Sequence, residues 1–171
     1  RQIPVEHEGR QIQLPSKDEG AIGQGKALKS ILHPSGEVQI WIASGAPMNT
    51  ALAAEVADGW LPMGYGPDGW EIHGPNLEKG FQRRADNAVP KSEFQLFTNL
   101  TVEITDDIQA AIDKRKPMTA MYVGGMGNKE HNFHRDSMAR RGFPELANLI
   151  QERWLAGDKE GAIRAVPDEY I

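Results

Sequence analysis

The chain contains no cysteine, so disulfide bonds and thiolate chemistry are excluded. It has no apolar run of membrane-spanning length, and its first residues, RQIPVEHEG, lack the apolar core of a signal peptide. Basic residues are not in excess, because 19 lysines and arginines stand against 24 aspartates and glutamates. Proteins that bind nucleic acid or anionic membranes normally carry a basic patch. We therefore expect a cytoplasmic protein that binds neither nucleic acid nor membrane.

The composition is typical of a globular protein. Of the 171 residues, 39% are hydrophobic and 25% are charged, which suits one domain with a sizeable core. Three parts are predicted within it: a loop and hairpin insertion over residues 1–38, core strand–helix units over 39–104, and a mostly helical segment over 105–171. In the first part, residues 10–14 alternate between polar and apolar after Gly9 and are predicted to pair with residues 3–5.

The chain is organised around residues 39–63, QIWIASGAPMNTALAAEVADGWLPM. Residues 40–42 are β-rich, residues 49–56 have helical apolar spacing, and Trp60 and Leu61 begin a second apolar run. Both runs are short, apolar on both faces and joined through a helix, which is typical of a parallel sheet buried under helices. The sequence therefore predicts a βαβ unit.

The loop inside this unit, Ser44-Gly45-Ala46-Pro47, is the best candidate for a binding site. A Ser-Gly pair and a proline give a tight turn ahead of a helix whose N-cap is predicted at Asn49 or Thr50. Free backbone N–H groups at the positive end of a helix dipole favour an anion, usually phosphate. The alternative, which the spacing alone favours, is an ordinary capped turn between strand and helix.

A second loop, residues 64–70, is dense in turn-forming residues and carries Tyr65 and Trp70. In an α/β barrel the loops that follow the strands form the catalytic face, so this loop is expected beside the first one. Tyr65 and Trp70 then either line a substrate pocket or merely cover the top of the barrel. The sequence leaves both interpretations open.

The rest of the chain shows one long β pattern followed by helices. FQLFTNLTVEI has the longest β-rich alternation, and Pro117 marks a kink or a restart between two helical stretches. The predicted elements are a helix over 77–85, a strand over 94–104, a helix capped by residues 105–107, and tail helices over 146–155 and 159–166, the first ending at Gly157.

Two histidines near the tail raise the question of a metal site. His131 and His134 are three residues apart beside Glu130, and on a helix they would share a face. A metal ion would still need carboxylates from distant parts of the chain. Surface or packing histidines are the favoured interpretation, and no metal is predicted.

Several stretches resemble one family. ASGAPMNTALAAEVADGWLP, MYVGGMGNKEHNF and ELANLIQERWLAGDKEGAIRAVPDE, with GKALKSILHP upstream, resemble the luciferase-like monooxygenase superfamily, and most closely its oxidoreductases that depend on the deazaflavin coenzyme F420. The resemblance covers nearly the whole chain. It implies an α/β fold, part of a TIM-type (β/α)8 barrel of the bacterial luciferase-like kind with a helix-rich C-terminal segment, in which the cofactor lies at the carboxyl ends of the strands.

The resemblance also implies cofactor-binding positions. In the family the loop after the strand, commonly Ser-Gly-Gly-Pro, gives backbone contacts to the cofactor phosphate. Carried over, these positions are Ser44, Gly45, Ala46 and Pro47. Asn49, from its own place at the predicted helix start, is added as a cofactor-binding candidate. The chain departs from the family at Ala46, often glycine, and at Met48, often a basic residue, so cationic help for the phosphate is missing there. Residues that contact the ring lie on earlier strands in the family, and no catalytic residue is named.

Three functions follow as hypotheses. The leading one is hydride transfer between coenzyme F420 and a small organic substrate. The second replaces the deazaflavin with FMN and the reaction with oxygen insertion, because the superfamily contains both kinds of enzyme. The third is a cofactor-free, oligomeric interaction module.

Length bears on all three hypotheses. A complete barrel typically takes ~250 residues, so the 171-residue chain is expected to be a fragment that binds cofactor weakly. Strand edges left unpaired in such a fragment favour a homo-oligomer.

Overall fold

The computed structural model describes residues 4–22, 25–29 and 31–171. Its internal contacts divide the chain into two compact units, Arg1–Val38 and Gln39–Ile171. In the first unit, β1 (His7–Glu8) pairs antiparallel with β2 (Gln13–Leu14). A hairpin therefore forms, but its first strand is His7–Glu8 and not residues 3–5, because the short turn after Glu8 sets Glu8 opposite Gln13. Ile3 lies outside the described residues.

The second unit begins with a parallel three-stranded sheet. Its strands are β3 (Trp41–Ser44), β4 (Gly59–Pro62) and β5 (Gln95–Leu96), in the spatial order β3-β4-β5. The helix α1 (Pro47–Val56) connects β3 to β4, and the predicted βαβ unit is confirmed. The predicted N-cap is wrong: Ala46 occupies that position, because Pro47, with its fixed φ, takes the first turn of the helix.

Small residues let α1 pack closely against the next helix, α2 (Gly69–Phe81). A Cβ atom on Gly80 would collide with the carbonyl oxygen of Ala51, so the two backbones meet at this point. The core of this part of the unit consists of buried residues from both helices and from β4, namely Ala53, Ala54, Trp60 and Leu77.

Two predicted elements differ from the structure. The helix predicted over 77–85 begins already at Gly69, because Gly74 and Pro75 are accommodated inside it. The ring of Trp70 fills the space beside Gly74, where a Cβ would lie 2.9 Å from Cε2 of the indole. The glycine and proline signals that favour a loop are therefore overridden by packing.

The strand predicted over 94–104 is reduced to the two residues of β5. Beyond it the apolar side chains alternate as predicted but stay in solvent; Phe97 is 52% exposed and Ile104 is 99% exposed. Among the described residues no further strand pairs with the outer edge of β5. The alternating residues beyond Leu96 therefore have no neighbouring strand there with which to form backbone hydrogen bonds.

Five helices complete the unit: α3 (Ile108–Asp113), α4 (Lys116–Gly125), α5 (Phe133–Arg140), α6 (Pro144–Leu155) and α7 (Lys159–Arg164). Short 3-10 turns lie at Lys91–Glu93 and Asp168–Tyr170. The helices α4 to α7 surround a second apolar core whose largest buried side chains are Val123, Met138, Ile150 and Val166.

The predicted helix boundaries at Asp107, Pro117 and Gly157 are confirmed. The Asp107 carboxylate accepts a hydrogen bond from the N–H of Ala110 at 2.9 Å and caps α3. Pro117 lies in the first turn of α4, so it marks a restart. Gly157 follows the end of α6 with φ of 88°. Within the ranges given above, no helix has the length and apolar character needed to cross a membrane.

Candidate functional site at the carboxyl edge of the sheet

The three parallel strands end at one edge of the sheet, where ligands of α/β proteins commonly bind. A cleft of about 440 Å³ opens there. The sheet side of the cleft is formed by residues 62–64 at the end of β4 and by Thr98 and Asn99 after β5. Tyr122 of α4 and His134 of α5 complete it. The helical segment therefore closes over the edge at which β4 and β5 end.

The loop after β3 begins with a residue that serves the core. Ser44 is buried, and its hydroxyl and carbonyl oxygens accept hydrogen bonds from Nε1 of Trp60 at 2.9 and 3.1 Å. Because its hydroxyl and carbonyl oxygens both accept from the indole, Ser44 ties the start of the loop to the core.

Gly45 is the place where the helical segment contacts this loop. A Cβ there would lie 2.5 Å from Cζ of Phe133, so only glycine admits the ring of the first residue of α5. From the last turn of α5, the Arg140 guanidinium donates from Nη2 to the carbonyl oxygen of Gly45 at 3.5 Å. Both ends of α5 thus meet the loop.

The first turn of α1 follows directly. Ala46 is its N-cap without a side-chain cap, and Pro47 supplies no N–H. Met48 and Asn49 are exposed, and N–H groups in a first turn have no partner within the helix. The positive end of the helix dipole and the Arg140 cation therefore face the same short loop.

Arg140 is the residue that sequence reasoning missed. The sequence lacks a basic residue at Met48, and no other cation was assigned to the loop. Arg140 lies 95 positions beyond Gly45. No spacing rule connects the two, because tertiary packing, including that of Phe133 on Gly45, brings α5 to this edge.

His134 is held in place by the junction of α4 and α5. The side-chain oxygen of buried Asn132 accepts hydrogen bonds from the N–H groups of His134 and Arg135, each at 3.0 Å. The Asn132 amide donates to the carbonyl oxygen of Val123 at 2.6 Å. The imidazole of His134 lies edge-to-face with Tyr122, with ring centroids 4.7 Å apart. Burial lowers the pKa of His134, so the imidazole is neutral at pH 7.

The predicted shared helix face of His131 and His134 is wrong. Asn132 caps α5, so His131 lies before the helix and His134 lies inside it. Throughout the part of the chain that the structure describes, no group of three histidine, aspartate or glutamate side chains could hold a metal ion.

The structure places Tyr65 and Trp70 apart from the cleft lining. Tyr65 packs against Trp60, with centroids 6.2 Å apart, and stacks on His73 at the same distance. Trp70 lies in the first turn of α2 and is 57% exposed. Their role in substrate binding stays a prediction.

His73 is expected to make the stability of the fold depend on pH. It is buried, with its ring 5.1 Å from that of Trp60. Burial is the main cause that lowers the pKa of His73, the positive charges of Arg140 and Arg141 lower it further, and Asp68 partly opposes them. An unfolded chain binds the proton near pH 6.5, whereas the folded chain resists it to a lower pH. The free energy of unfolding should therefore fall as the pH drops below 6.5 and level off below the lowered pKa.

Urea unfolding at a series of pH values from about 7.5 to 5 measures this slope. We expect His73→Phe to flatten most of it, while the slope that remains belongs in part to His134, whose pKa is also lowered. An unchanged slope in His73→Phe would contradict this assignment.

The match to known proteins decides the family. The family model of luciferase-like monooxygenases matches residues 1–171. The chain belongs to the luciferase-like monooxygenase family. Luciferase-like relatives include a Mycobacterium tuberculosis protein named as a coenzyme F420-dependent oxidoreductase, 38% identical over 172 residues. The match covers 100% of this chain and 49% of that protein, so the chain spans about half the length of the curated relative it matches.

The fold of this luciferase-like chain is similar to that of a solved structure, the coenzyme F420-dependent tetrahydromethanopterin reductase from Methanopyrus kandleri. The TM-score is 0.61 at 24% identity, and the match covers 96% of this chain and 42% of the reductase. The likeness, with the parallel sheet and its covering helices, confirms the predicted class, an α/β fold that forms part of a TIM-type barrel.

Proposed function

We propose that this luciferase-like chain binds coenzyme F420 and belongs to an oxidoreductase that transfers a hydride between the deazaflavin and a small organic substrate. The observation that carries the proposal is the 38% identity, across the whole chain, to the mycobacterial protein named as an F420-dependent oxidoreductase. The match covers 49% of that relative, so an oxidoreductase activity of the whole protein is itself proposed.

The loop after β3 fits the phosphate of such a cofactor. The uncapped first turn of α1 offers backbone N–H groups at Met48 and Asn49, and the Arg140 guanidinium lies at the same loop. Thr50, in that turn, has a fully buried hydroxyl without a hydrogen-bond partner among the described residues. Donors, a helix dipole and a cation in one place are the usual means of holding phosphate.

Each residue of the predicted loop then has a separate task. Ser44 anchors the loop to Trp60, Gly45 admits Phe133 and so brings α5 close, and Pro47 starts the helix. Ala46 and Asn49 contribute through the backbone. Bound coenzyme F420 accepts or donates a hydride. The chain's own part is to fix the phosphate end and to present an adjoining cleft that holds the substrate and excludes water.

Arg140→Ala is expected to weaken binding of coenzyme F420 by roughly tenfold or more, since a hydrogen bond to a charged group contributes about 1.5–3 kcal/mol. Fluorescence titration of the deazaflavin measures the dissociation constant. Arg164→Ala is the matched control, because Arg164 is an exposed arginine at the end of another helix, α7. Equal affinities of the two variants would show that Arg140 does not contact the cofactor.

A second candidate function is an FMN-dependent monooxygenase, favoured by the family model's description as luciferase-like monooxygenases. The proposed phosphate site suits both cofactors, so parallel titrations with coenzyme F420 and FMN must separate them. We expect tighter binding of coenzyme F420. Tighter binding of FMN would establish the alternative, and binding of neither by the folded chain would favour the cofactor-free oligomeric module.

We also propose that two copies of the chain associate. The support is the run of exposed apolar side chains after β5, which includes Phe97, Leu100, Val102 and Ile104. Exposed apolar strips beside an unpaired strand edge favour association. Light scattering should give twice the mass of one chain, whereas a monomer at all concentrations would contradict the proposal. The other predicted properties, cytoplasmic residence and no binding to nucleic acid or membrane, stay predictions.

A further inference from the structure

We propose that the cleft at the ends of β4 and β5 takes the organic substrate, and that this substrate is uncharged and flat, an aromatic or conjugated carbonyl compound. The inference rests on the proposed function, because it assumes that a cofactor and a substrate meet at this edge of the sheet. It adds the chemical class of the substrate, which the family alone leaves open.

The lining of the cleft contains no ionised group. Among the described residues that form it there is no aspartate, glutamate, lysine or arginine. His134 is neutral at pH 7 because burial lowers its pKa. A charged ligand would give up its hydration without gaining an opposite charge, which is costly. A neutral ligand meets no such penalty and gains from burial of its apolar surface.

Four polar side chains in the cleft are available to orient a neutral ligand: Thr98, Asn99, Tyr122 and His134. None of them makes a side-chain hydrogen bond to another of the described residues. Together they offer donors and acceptors, and a neutral imidazole offers one of each. A few polar groups in an otherwise apolar cleft are what fixes the orientation of a small molecule. A ligand with a single carbonyl oxygen would suit this arrangement.

The shape of the cleft favours a flat group. Tyr122 and His134 come from two helices and meet edge-to-face, so aromatic surface forms the helical side of the cleft. On the other side lie Pro62, the last residue of β4, and Met63. Offset or edge-to-face contact with aromatic rings stabilises a flat ligand beyond its buried area.

The cleft adjoins the loop assigned to the cofactor phosphate. Cβ of Met63, which lines the cleft, lies 3.4 Å from the position that a Cβ on Gly45 would occupy. A cofactor anchored at the loop would therefore border the cleft. This assigns the loop to the cofactor and the cleft to its reaction partner.

The test compares two probes that differ by one charge, acetophenone and para-acetylbenzoate, added to the 171-residue chain. Amide NMR shifts locate binding and give the dissociation constants. We expect shifts at Thr98, Asn99, Tyr122 and His134, and at least about tenfold tighter binding of acetophenone. Equal or tighter binding of para-acetylbenzoate, or shifts confined to other residues, would overturn the inference.

Asn99→Lys should reverse the preference, because the added cation would pair with the carboxylate of the charged probe. Asn148→Lys is the control, since Asn148 is exposed on α6 and does not line the cleft. If Asn99→Lys left the preference of the chain unchanged, the cleft would not be the binding site.

Addition of coenzyme F420 separates this inference from the proposed function. Acetophenone affinity that persists at saturating coenzyme F420 supports the assignment to substrate. Competitive displacement overturns it and gives the cleft to the deazaflavin ring. Failure of coenzyme F420 to bind, with the acetophenone preference intact, overturns the proposed function alone. Binding of coenzyme F420 without any acetophenone binding overturns the inference alone.

Discussion

Trp60→Ala is expected to lower the free energy of unfolding by about 3–5 kcal/mol, the usual cost of removing a large buried aromatic side chain. The Trp60 side chain is fully buried at the centre of the first core, in contact with the rings of Tyr65 and His73. Urea unfolding measures the loss. Trp70→Ala is the comparison, because Trp70 is 57% exposed and its removal should cost clearly less than that of Trp60. Equal costs would contradict this account of the core.

Trp60→Phe isolates the hydrogen bonds that Trp60 donates to the loop. The variant keeps an aromatic ring but loses Nε1–H, which leaves the oxygens of Ser44 without their donor. A double-mutant cycle with Ser44→Ala should give a coupling energy of about 1 kcal/mol. A coupling energy near zero would mean that Ser44 does not anchor the loop through the indole.

Asn132→Ala is expected to cost about 2–4 kcal/mol, because it removes a helix cap and a buried donor together. Asn132 is fully buried, receives two N–H groups of α5 and donates to the carbonyl oxygen of Val123 at the end of α4. Asn148→Ala, at an exposed position of α6, is the control and should be close to neutral. Thermal or urea unfolding gives both values.

Asn132→Ser distinguishes the two tasks of Asn132. Serine keeps a capping oxygen for the first turn of α5 but cannot reach the carbonyl oxygen of Val123. The variant should therefore be more stable than Asn132→Ala and less stable than the natural chain. If the serine variant were no more stable than the alanine variant, capping would not be the main contribution.

Local chemistry made several features predictable. The βαβ unit is recognisable because β3 and β4 are short apolar runs and α1 between them has helical spacing. The start of α3 is recognisable because Asp107 caps it through its own side chain. Such features depend on residues that are close together in sequence, so the prediction from the sequence agrees with the structure.

Features that depend on distant contacts were not predictable. The alternation over 94–104 is typical of a strand, but among the described residues only Gln95 and Leu96 find a strand to pair with, β4. The N-cap of α1 was placed at Asn49 or Thr50 because their side chains can cap, whereas Pro47 sets the actual start. Propensity therefore gave the kind of element correctly and its bounds poorly.

The candidate site likewise has a part that local sequence predicts and a part that depends on distant contacts. The loop after β3 was singled out as a candidate from its own residues, since a Ser-Gly-Ala-Pro turn before a helix can hold an anion, although the spacing alone favours an ordinary capped turn. Its binding of a cofactor stays a prediction. Arg140, Tyr122 and His134 were not assigned to it, because helices far along the chain bring them to the sheet edge. The family resemblance gave positions on the loop but none on these helices.

The central claim is that coenzyme F420 binds through its phosphate at the loop after β3, and amide NMR of the chain during a coenzyme F420 titration tests it most directly. The account predicts the largest shifts at the backbone N–H groups of Gly45, Ala46, Met48 and Asn49, together with the Nε–H of Arg140. Binding that leaves these signals unchanged and shifts only other residues would contradict it.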